Sequence, residues 1–327
     1  MAQAKKNEAE NRKVQQHDNV DISAIVAIQN MGEKVEEYYT ILKNALEGLG
    51  ATYEIIYVDD ASEDNTYENL ENIAAKDPAT HLIRMRSTFG ESSSFEAGFK
   101  MSMGERVIFY TTRVRPDSSR LPALLEKLDE GNDLVVGWRF PRKDAVINRI
   151  ISKVFNFMTN RLTGIKLHDI NSGIIVTRRD VLENLQIYGG LGQFIPVLAN
   201  KQGYKVAEEK IAQLGGFFRK SRFMGEYLQR VLDILTVLFL TKYSKKPIHF
   251  LGFLGGVFAV AGAIIELYLF FYRIFGFGAI AGRPLLLLGA LLLVIGIQMI
   301  AMGLIGEMII FTHAGDIKEY NIEKVYH

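Results

Sequence analysis

Cysteine is absent from the 327-residue chain, and tryptophan occurs only once. Without cysteine the protein can hold no disulfide, no thiolate nucleophile and no Cys-ligated zinc. An excess of charge of one sign is also lacking, because 38 basic residues face 37 acidic residues and leave a formal net charge of +1. This balance excludes a strongly basic nucleic-acid-binding protein, so we expect no nucleic-acid partner.

Three familiar sequence features are missing too. Residues 1–20 are polar and charged, without the apolar core of a signal peptide, and they are predicted to form a disordered tail. The first strand-to-helix turn contains one glycine, Gly32, and therefore no G-x-G-x-x-G pyrophosphate loop. No G-x-x-x-x-G-K-S/T segment occurs. These absences argue against a hydride-transfer enzyme and exclude a P-loop NTPase.

A regular alternation of short apolar runs and amphipathic segments is present instead. The runs rich in β-branched and aromatic residues predict strands at 22–28, 54–58, 81–85, 106–110, 133–137 and 204–207. The segments between them predict helices, among them 35–49, 66–75, 90–103, 119–128 and 148–162. Such alternation predicts an α/β fold, with a mostly parallel sheet covered by helices on both faces.

Two carboxylates follow the second predicted strand, at Asp59 and Asp60. In an open α/β sheet, ligands bind outside the carboxyl ends of the strands, which places both residues where a ligand would lie. An aspartate after a strand is also ordinary turn chemistry, and the pair could simply cap the helix that begins near Asp64. The pattern alone supports both interpretations equally.

The last third of the chain contains two long apolar runs, at 250–271 and 284–311. Each exceeds the ~20 residues that a helix needs to cross the hydrocarbon core of a membrane. The link at 272–283 is too short for a domain, so we expect a hairpin whose two ends lie on the same side. The whole chain is therefore predicted to be a multi-pass membrane protein with the lipid bilayer as a partner.

A basic amphipathic segment at 219–247 precedes these runs and is predicted to form helices in the membrane interface. The alternative is an ordinary surface helix packed on its own domain. The lysines Lys242, Lys245 and Lys246 favour a cytoplasmic location for everything before the first span, although Arg273 and Arg283 in the link weaken that count. We therefore expect the soluble domain and both termini on the cytoplasmic side of the inner (plasma) membrane.

A series of short motifs, taken in order along the chain, resembles family 2 glycosyltransferases. The motifs are Val58-Asp59-Asp60-Ala61-Ser62, Phe89-Gly90, Val136-Gly137-Trp138-Arg139, Asp169 with Ser172-Gly173, and Lys220-Ser221-Arg222-Phe223. More narrowly, the chain looks like the polyprenyl-phosphate (dolichol-phosphate type) sugar transferases that carry a two-helix membrane anchor. The resemblance implies a GT-A type Rossmann-like domain, a nucleotide-sugar donor and a polyprenyl phosphate acceptor.

The same resemblance implies a domain plan and a set of site residues. The plan is a tail at 1–20, a transferase domain at 21–218, juxtamembrane helices at 219–247, membrane helices at 248–272 and 284–311, and a cytoplasmic tail at 312–327. The implied donor-binding residues are Asn30, Asp59, Asp60, Thr111 and Arg113. The implied catalytic residues are Arg139, Asp169 and Ser172, and we add Arg113, which departs from the family pattern. The implied acceptor-phosphate residues are Arg149, Lys220, Ser221 and Arg222.

One departure from the family pattern affects the expected chemistry. Family members carry Asp-x-Asp at the end of the fourth strand, where it binds the divalent metal that neutralises the donor diphosphate. Here that position reads Thr111-Thr112-Arg113, so the usual ligands of Mg²⁺ or Mn²⁺ are missing, and Asp117 is only a weak substitute. We therefore expect no cofactor, with a divalent metal (Mg²⁺ or Mn²⁺) as the alternative.

Two explanations of this departure are open. Arg113 could neutralise the diphosphate in place of a metal, since a guanidinium can contact phosphate oxygens bidentately. Alternatively, catalysis is lost and the chain is a membrane-anchored scaffold or nucleotide-sugar-binding subunit of a glycan assembly complex. A processive polysaccharide synthase is disfavoured, because two spans cannot readily form a polymer channel. The oligomeric state is left open, with a homo-oligomer as one option.

Overall fold

The computed structural model describes residues 20–143, 146–185, 189–214, 247–280 and 282–312, together with residues 232 and 236. The chain divides into two compact units, one up to Ile234 and one from Leu235. Each is described by itself below.

The first unit is built on a seven-stranded sheet. Its strands are β1 (Ile22–Ile28), β2 (Tyr53–Asp59), β3 (Thr80–Arg84), β4 (Arg106–Thr111), β5 (Leu134–Arg139), β6 (Ile174–Arg178) and β7 (Val206–Ile211). Their order across the sheet is β3-β2-β1-β4-β6-β5-β7. All neighbouring pairs are parallel except the two that involve β6, which runs antiparallel to both β4 and β5. The predicted α/β fold with a mostly parallel sheet is confirmed.

The reversed direction of β6 determines what meets at the functional edge of the sheet. Because β6 lies antiparallel between β4 and β5, its amino end falls beside their carboxyl ends. The carboxyl ends of β1, β2 and β4 share that edge, because these three strands are parallel neighbours. The turn before β6 therefore comes to the same edge as the turns after β1, β2, β4 and β5.

Seven helices are described in this unit, and several of them pack on the sheet through apolar stripes at helical spacing. They are α1 (Val35–Glu47), α2 (Thr66–Lys76), α3 (Glu91–Met101), α4 (Leu121–Asp129), α5 (Val146–Thr163), α6 (Arg179–Asn184) and α7 (Ile195–Lys201). In α1 the buried positions are Val35, Tyr38, Leu42 and Leu46, which recur every three or four residues as one face of an amphipathic helix requires. Short 3-10 turns cover Gly32–Lys34, Ser118–Arg120 and Gly189–Phe194.

Two strands extend at least two residues beyond the ends that the sequence pattern predicts. β5 continues to Arg139 instead of ending at residue 137, and β7 runs to Ile211 instead of residue 207. The two strands pair with each other along their full length, from Leu134 opposite Val206 to Arg139 opposite Ile211. The backbone ladder between them, which a local pattern cannot reveal, sets both ends.

The described part of the second unit consists of α8 (Pro247–Ile274) and α9 (Pro284–Thr312). Both helices are long and apolar enough to cross a membrane. They pack as an antiparallel hairpin through small residues: a Cβ added to Gly255 would lie 2.6 Å from the carbonyl oxygen of Gly296, and one added to Gly262 would lie 2.6 Å from that of Gly289. Backbones this close require glycine at the contact.

Candidate functional site

A cleft of about 810 Å³ opens at the edge of the sheet where β1, β2 and β4 end. This volume lies within the range of roughly 300–1,000 Å³ that is usual for small-molecule sites. Four of the predicted site residues line it, namely Asn30, Asp60, Thr111 and Arg113. Four further charged residues line it as well, namely Lys34, Asp64, Glu91 and Arg115.

Asp60 holds the loop on one side of the cleft. One of its carboxylate oxygens accepts from the backbone N–H of Phe89 at 2.8 Å, and the other accepts from that of Gly90 at 2.9 Å. Gly90 has a φ of +89°, a conformation that favours glycine. The carboxylate thus fixes the backbone that leads into α3.

Asp59 has a different environment from its neighbour. It is fully buried, is not among the cleft-lining residues, and accepts hydrogen bonds from the backbone N–H and the hydroxyl of Ser62. The Ser62 hydroxyl oxygen in turn accepts from the backbone N–H of Asn30 at 2.9 Å. Asp59 therefore ties the turn after β2 to the turn after β1. A direct contact between Asp59 and a donor remains a prediction.

Asn30 forms the turn at the end of β1. Its φ is +51°, in the left-handed region that asparagine tolerates better than most residues. Its side-chain oxygen accepts from the backbone N–H of Glu63 at 2.9 Å. The two loops that line this side of the cleft are thus bonded to each other in both directions.

Glu91 and Arg113 form an ion pair at the end of β4. The Arg113 Nε lies 2.9 Å from Glu91 Oε1, and the Thr111 hydroxyl donates to the same oxygen at 2.5 Å. Glu91 is the first residue of α3 and was not among the residues singled out from the sequence. An acidic residue in the first turn of a helix is common, because it complements the helix dipole, so the sequence offered no distinguishing signal.

Arg115 is a buried cation in the wall of the cleft. Only 8% of the residue is exposed, and its φ of +53° is unusual for a residue other than glycine. Its Nε donates to the Tyr38 hydroxyl, and its guanidinium carbon lies 5.5 Å from the centre of that ring. Burial raises the pKa of the Tyr38 hydroxyl, although the nearby Arg115 acts in the opposite direction. Tyr38 is therefore neutral at physiological pH, and within the described ranges Arg115 has no carboxylate partner.

Arg139 and Asp169 form a second, fully buried cluster. Arg139 Nε lies 2.7 Å from Asp169 Oδ2, and Nη2 lies 2.9 Å from Oδ1, which makes the pair bidentate. Nη2 also donates to the carbonyl oxygen of Asn171 at 3.0 Å. The Arg139 side chain is 2% exposed, so this pair serves first to hold the turn before β6 against the end of β5.

Ser172 and Gly173 connect this cluster to β4. The Ser172 hydroxyl donates to the carbonyl oxygen of Ile174 at 2.9 Å, which shapes the turn from within. The Thr111 backbone N–H donates to the carbonyl oxygen of Gly173 at 2.8 Å, and a Cβ on Gly173 would lie 2.1 Å from Val114 Cγ2. The turn that contains Ser172 therefore lies directly beside the Thr111–Arg113 segment.

Of the predicted acceptor-phosphate residues, only Arg149 belongs to the part of the chain that the structure describes. Arg149 lies exposed on α5, which also carries the exposed apolar side chains of Ile150 and Phe157. Lys220, Ser221 and Arg222 lie outside the described residues, as do the tails at 1–19 and 313–327 and nearly all of the juxtamembrane segment. Their roles remain predictions.

The side chains at the end of β4 do not fit a divalent metal. Within the described ranges, no group of three or more His, Asp or Glu side chains could hold a metal ion. Asp117, the weak candidate, accepts from the backbone N–H of Ser119 at 3.0 Å and is not among the cleft-lining residues. A guanidinium, which repels a cation, stands where a carboxylate ligand would be needed.

Comparison with known proteins identifies relatives over almost the whole chain. The family model described as glycosyl transferase family 2 matches residues 23–186. A dodecaprenyl-phosphate galacturonate synthase from Rhizobium johnstonii is 28% identical over 304 residues, covering 91% of this chain and 90% of the relative. An undecaprenyl-phosphate 4-deoxy-4-formamido-L-arabinose transferase from Pectobacterium atrosepticum is 30% identical over 311 residues, covering 93% of each chain.

Solved structures support the fold assignment of the first unit. Glucosyl-3-phosphoglycerate synthase from Mycobacterium tuberculosis, in complex with phosphoglyceric acid, superposes with a TM-score of 0.53 at 18% identity. The match covers 68% of this chain and 80% of that one. A structure of the same synthase with Mn²⁺ and UDP-glucose gives a TM-score of 0.53 at 17% identity, covering 67% and 79%. At this level of identity the likeness concerns the fold alone.

Proposed function

The chain belongs to glycosyl transferase family 2, and on that basis we propose that it transfers a sugar from a nucleotide-sugar to a polyprenyl phosphate. The relatives over nine-tenths of the chain are named as polyprenyl-phosphate sugar transferases or synthases. The observation that carries the proposal is the cleft at the ends of β1, β2 and β4, with Arg113 and Arg115 in its wall. Two helices able to cross a membrane would keep the enzyme at the surface where a lipid acceptor lies.

The transfer reaction requires positively charged side chains more than it requires a general base. An oxygen of the acceptor phosphate forms a bond to the anomeric carbon, while the bond from that carbon to the diphosphate breaks and its electron pair leaves with the nucleoside diphosphate. A phosphate monoester has a second pKa of about 6, so the attacking oxygen is already anionic at neutral pH. Cationic side chains must therefore hold two phosphate groups together and stabilise the leaving diphosphate.

Different residues of this chain would bind the donor, shape the site and bind the acceptor phosphate. Asn30 and Asp60 shape the loops against which the nucleoside part binds, and Thr111 and Arg113 lie where β4 meets the cleft. Arg139, Asp169 and Ser172 hold the turn beside Thr111, which makes them positioning residues in this arrangement. Arg149 and the segment Lys220-Ser221-Arg222 would bind the acceptor phosphate near the membrane.

We also propose a cellular location for the protein. The enzyme would reside in the inner (plasma) membrane, with its transferase domain and both termini in the cytoplasm, where nucleotide-sugars are made. The domain plan at 21–218, 219–247, 248–272 and 284–311 belongs to the same proposal.

A screen of the purified full-length protein in detergent tests this function. UDP-, GDP-, CDP-, ADP- and dTDP-sugars would each be incubated with undecaprenyl phosphate, and lipid-linked sugar would be detected by mass spectrometry. We expect product from one donor, and product should disappear when the polyprenyl phosphate is omitted. No product from any donor, with protein that is folded and membrane-derived, would contradict the proposal.

A catalytically inactive scaffold is the second candidate, and the Glu91–Arg113 pair is the observation that favours it. This ion pair occupies the place where relatives of the family carry metal-binding carboxylates. A scaffold would bind a nucleotide-sugar without consuming it. Binding of a donor by calorimetry together with an empty product screen would identify this case.

A further inference from the structure

We propose that the donor diphosphate binds to Arg113 and Arg115 without a metal, and that Glu91 is the counter-ion it displaces from Arg113. This inference rests on the proposed function and specifies how the same cleft recognises its substrate. The ligand class is a nucleoside diphosphate, recognised through its phosphate oxygens. The role assigned to Glu91 follows from its position between Thr111 and Arg113.

The buried guanidinium of Arg115 has no carboxylate partner among the described residues. A guanidinium that is more than nine-tenths buried normally pairs with a carboxylate, because removing a charge from water is costly. Among the described residues, Arg115 pairs only with the neutral Tyr38. Its left-handed backbone is a strained conformation held in the wall of a cleft, which is where functional strain concentrates. An anion that enters the cleft would supply the missing charge.

The ion pair between Arg113 and Glu91 can be exchanged for an ion pair between Arg113 and the diphosphate. Its side chain is 40% exposed and its partner Glu91 is 26% exposed, so water screens the pair and weakens it. A diphosphate carries more charge than one carboxylate and offers a guanidinium two oxygens at once, which favours the exchange. Glu91 retains the Thr111 hydroxyl as a donor after Arg113 leaves it.

Acidic and basic side chains line the cleft in equal numbers. The acidic residues Asp60, Asp64 and Glu91 face the basic residues Lys34, Arg113 and Arg115, so the formal charges cancel. Asp60 is already bonded to two backbone N–H groups, and Asp64 to Thr66. Glu91 is thus the carboxylate whose partner is a mobile cation. Its release frees the guanidinium of Arg113, which can then bind the ligand together with Arg115.

The rival role for Glu91 is that of a metal ligand that replaces the lost Asp-x-Asp carboxylates. Magnesium and manganese can be held by one or two carboxylates together with substrate phosphates. The arrangement of charges disfavours this role, because a guanidinium nitrogen lies 2.9 Å from the oxygen that the metal would need. The two roles predict opposite effects of removing the charge of Glu91.

The test measures nucleoside diphosphate binding by isothermal titration calorimetry with the full-length protein in detergent. UDP, GDP, CDP, ADP and dTDP are titrated in EDTA and, separately, in Mn²⁺, and each matching nucleoside is titrated as the phosphate-free reference. We expect one nucleoside diphosphate to bind in EDTA with an affinity within about threefold of that in Mn²⁺. Arg113→Ala should weaken diphosphate binding roughly 10- to 100-fold, as the loss of a charge-assisted contact does, and leave nucleoside binding unchanged.

Glu91→Gln provides the decisive comparison. The amide keeps a hydrogen bond to Thr111 but no longer neutralises Arg113, so diphosphate binding in EDTA should tighten several-fold. Arg120→Ala removes an exposed arginine that does not line the cleft and should leave every affinity unchanged. Since Arg113 and Glu91 are both partly exposed, their variants are expected to fold, and the thermal unfolding midpoint of each would verify this.

Three outcomes would overturn the inference. Binding that occurs in Mn²⁺ and is lost in EDTA would overturn it while the proposed transferase function stands. Weaker binding by Glu91→Gln in Mn²⁺ would do the same and would assign Glu91 to a metal. Failure of every nucleoside diphosphate to bind under either condition would overturn both this inference and the proposed function.

Discussion

At the scale of single residues, the buried Arg139–Asp169 pair shows how the cost of desolvation determines the effect of a substitution. Removing one partner of a buried ion pair costs about 3–5 kcal/mol, because the other charge is left without compensation. Arg139 carries an additional constraint, since its Nη1 is buried and has no hydrogen-bond partner among the described residues. Substitution of either residue alone is therefore expected to lower the stability of the protein.

We expect Arg139→Ala to lower the free energy of unfolding by several kcal/mol, and the double variant Arg139→Met/Asp169→Leu to recover much of that loss. The single variant leaves the buried Asp169 carboxylate with only the more distant Arg142, whose Nη1 lies 3.8 Å from Oδ1. The double variant removes both charges of the Arg139–Asp169 pair and roughly keeps the volume. Denaturant unfolding in detergent would be followed by the fluorescence of Trp138, the only tryptophan, which stacks on His168 with ring centres 4.1 Å apart. A double variant no more stable than Arg139→Ala would show that the pair itself contributes net stability.

Adjacent residues also show how far sequence can predict the site. Asp59 and Asp60 are identified from sequence because they follow a buried strand, and the structure brings Asp60 to the cleft. Asp59 instead bonds to Ser62. The direction in which each carboxylate points at the end of the strand depends on the surrounding side chains, which the local sequence pattern does not show. Glu91 could not be predicted, because its contacts with Thr111 and Arg113 exist only once α3 has packed beside β4.

At the scale of secondary-structure elements, the position of α3 is set by a glycine. A Cβ added to Gly98 would lie 2.4 Å from Ile25 Cγ2 of β1 and 3.2 Å from Val58 Cγ2 of β2. The helix can approach the sheet this closely only because Gly98 has no side chain. Because Glu91 begins the same helix, this contact also determines where the Glu91 carboxylate stands in the cleft.

Gly98→Ala should destabilise the protein by roughly 1–3 kcal/mol, the usual cost of overpacking a core. The sign of the change is informative, because alanine in place of glycine inside a helix otherwise stabilises by about 0.5–1 kcal/mol. Denaturant unfolding would measure the change, and nucleoside diphosphate affinity should fall as α3 is pushed away from the sheet. An unchanged or increased stability would show that α3 can shift without cost.

The course of β6 was the least predictable feature among the elements. Its residues Ile174–Arg178 form an apolar run like those of the parallel strands, since a strand buried on both faces has the same composition in either direction. Direction is determined by the path of the chain through α5 and the turn at 164–173, which local periodicity does not encode. The consequence for the site is large, because the reversed strand brings Asp169 and Ser172 to the ligand-binding edge.

At the scale of the whole molecule, the chain combines an α/β unit that contains a polar cleft with a hairpin of two apolar helices. The hairpin contains an even number of spans, so the α/β unit and the C-terminus are expected on the same side of the membrane. Lys242, Lys245 and Lys246 before α8 outnumber Arg273 and Arg283 around the link, and cytoplasmic flanks carry the excess of basic residues. The link between the helices is therefore expected on the opposite side from the cleft.

Cysteine labelling can measure this orientation without interference, because the natural chain contains no cysteine. We expect Ala279→Cys, in the exposed link between α8 and α9, to react with a membrane-impermeant maleimide in sealed right-side-out vesicles. Ser119→Cys, exposed in the first unit, should react only after the vesicles are permeabilised. The cysteine-free parent protein is the control for background labelling. The reverse pattern would place the cleft outside the cytoplasm, away from its nucleotide-sugar, and would contradict the proposed location because the donor could not reach Arg113 and Arg115.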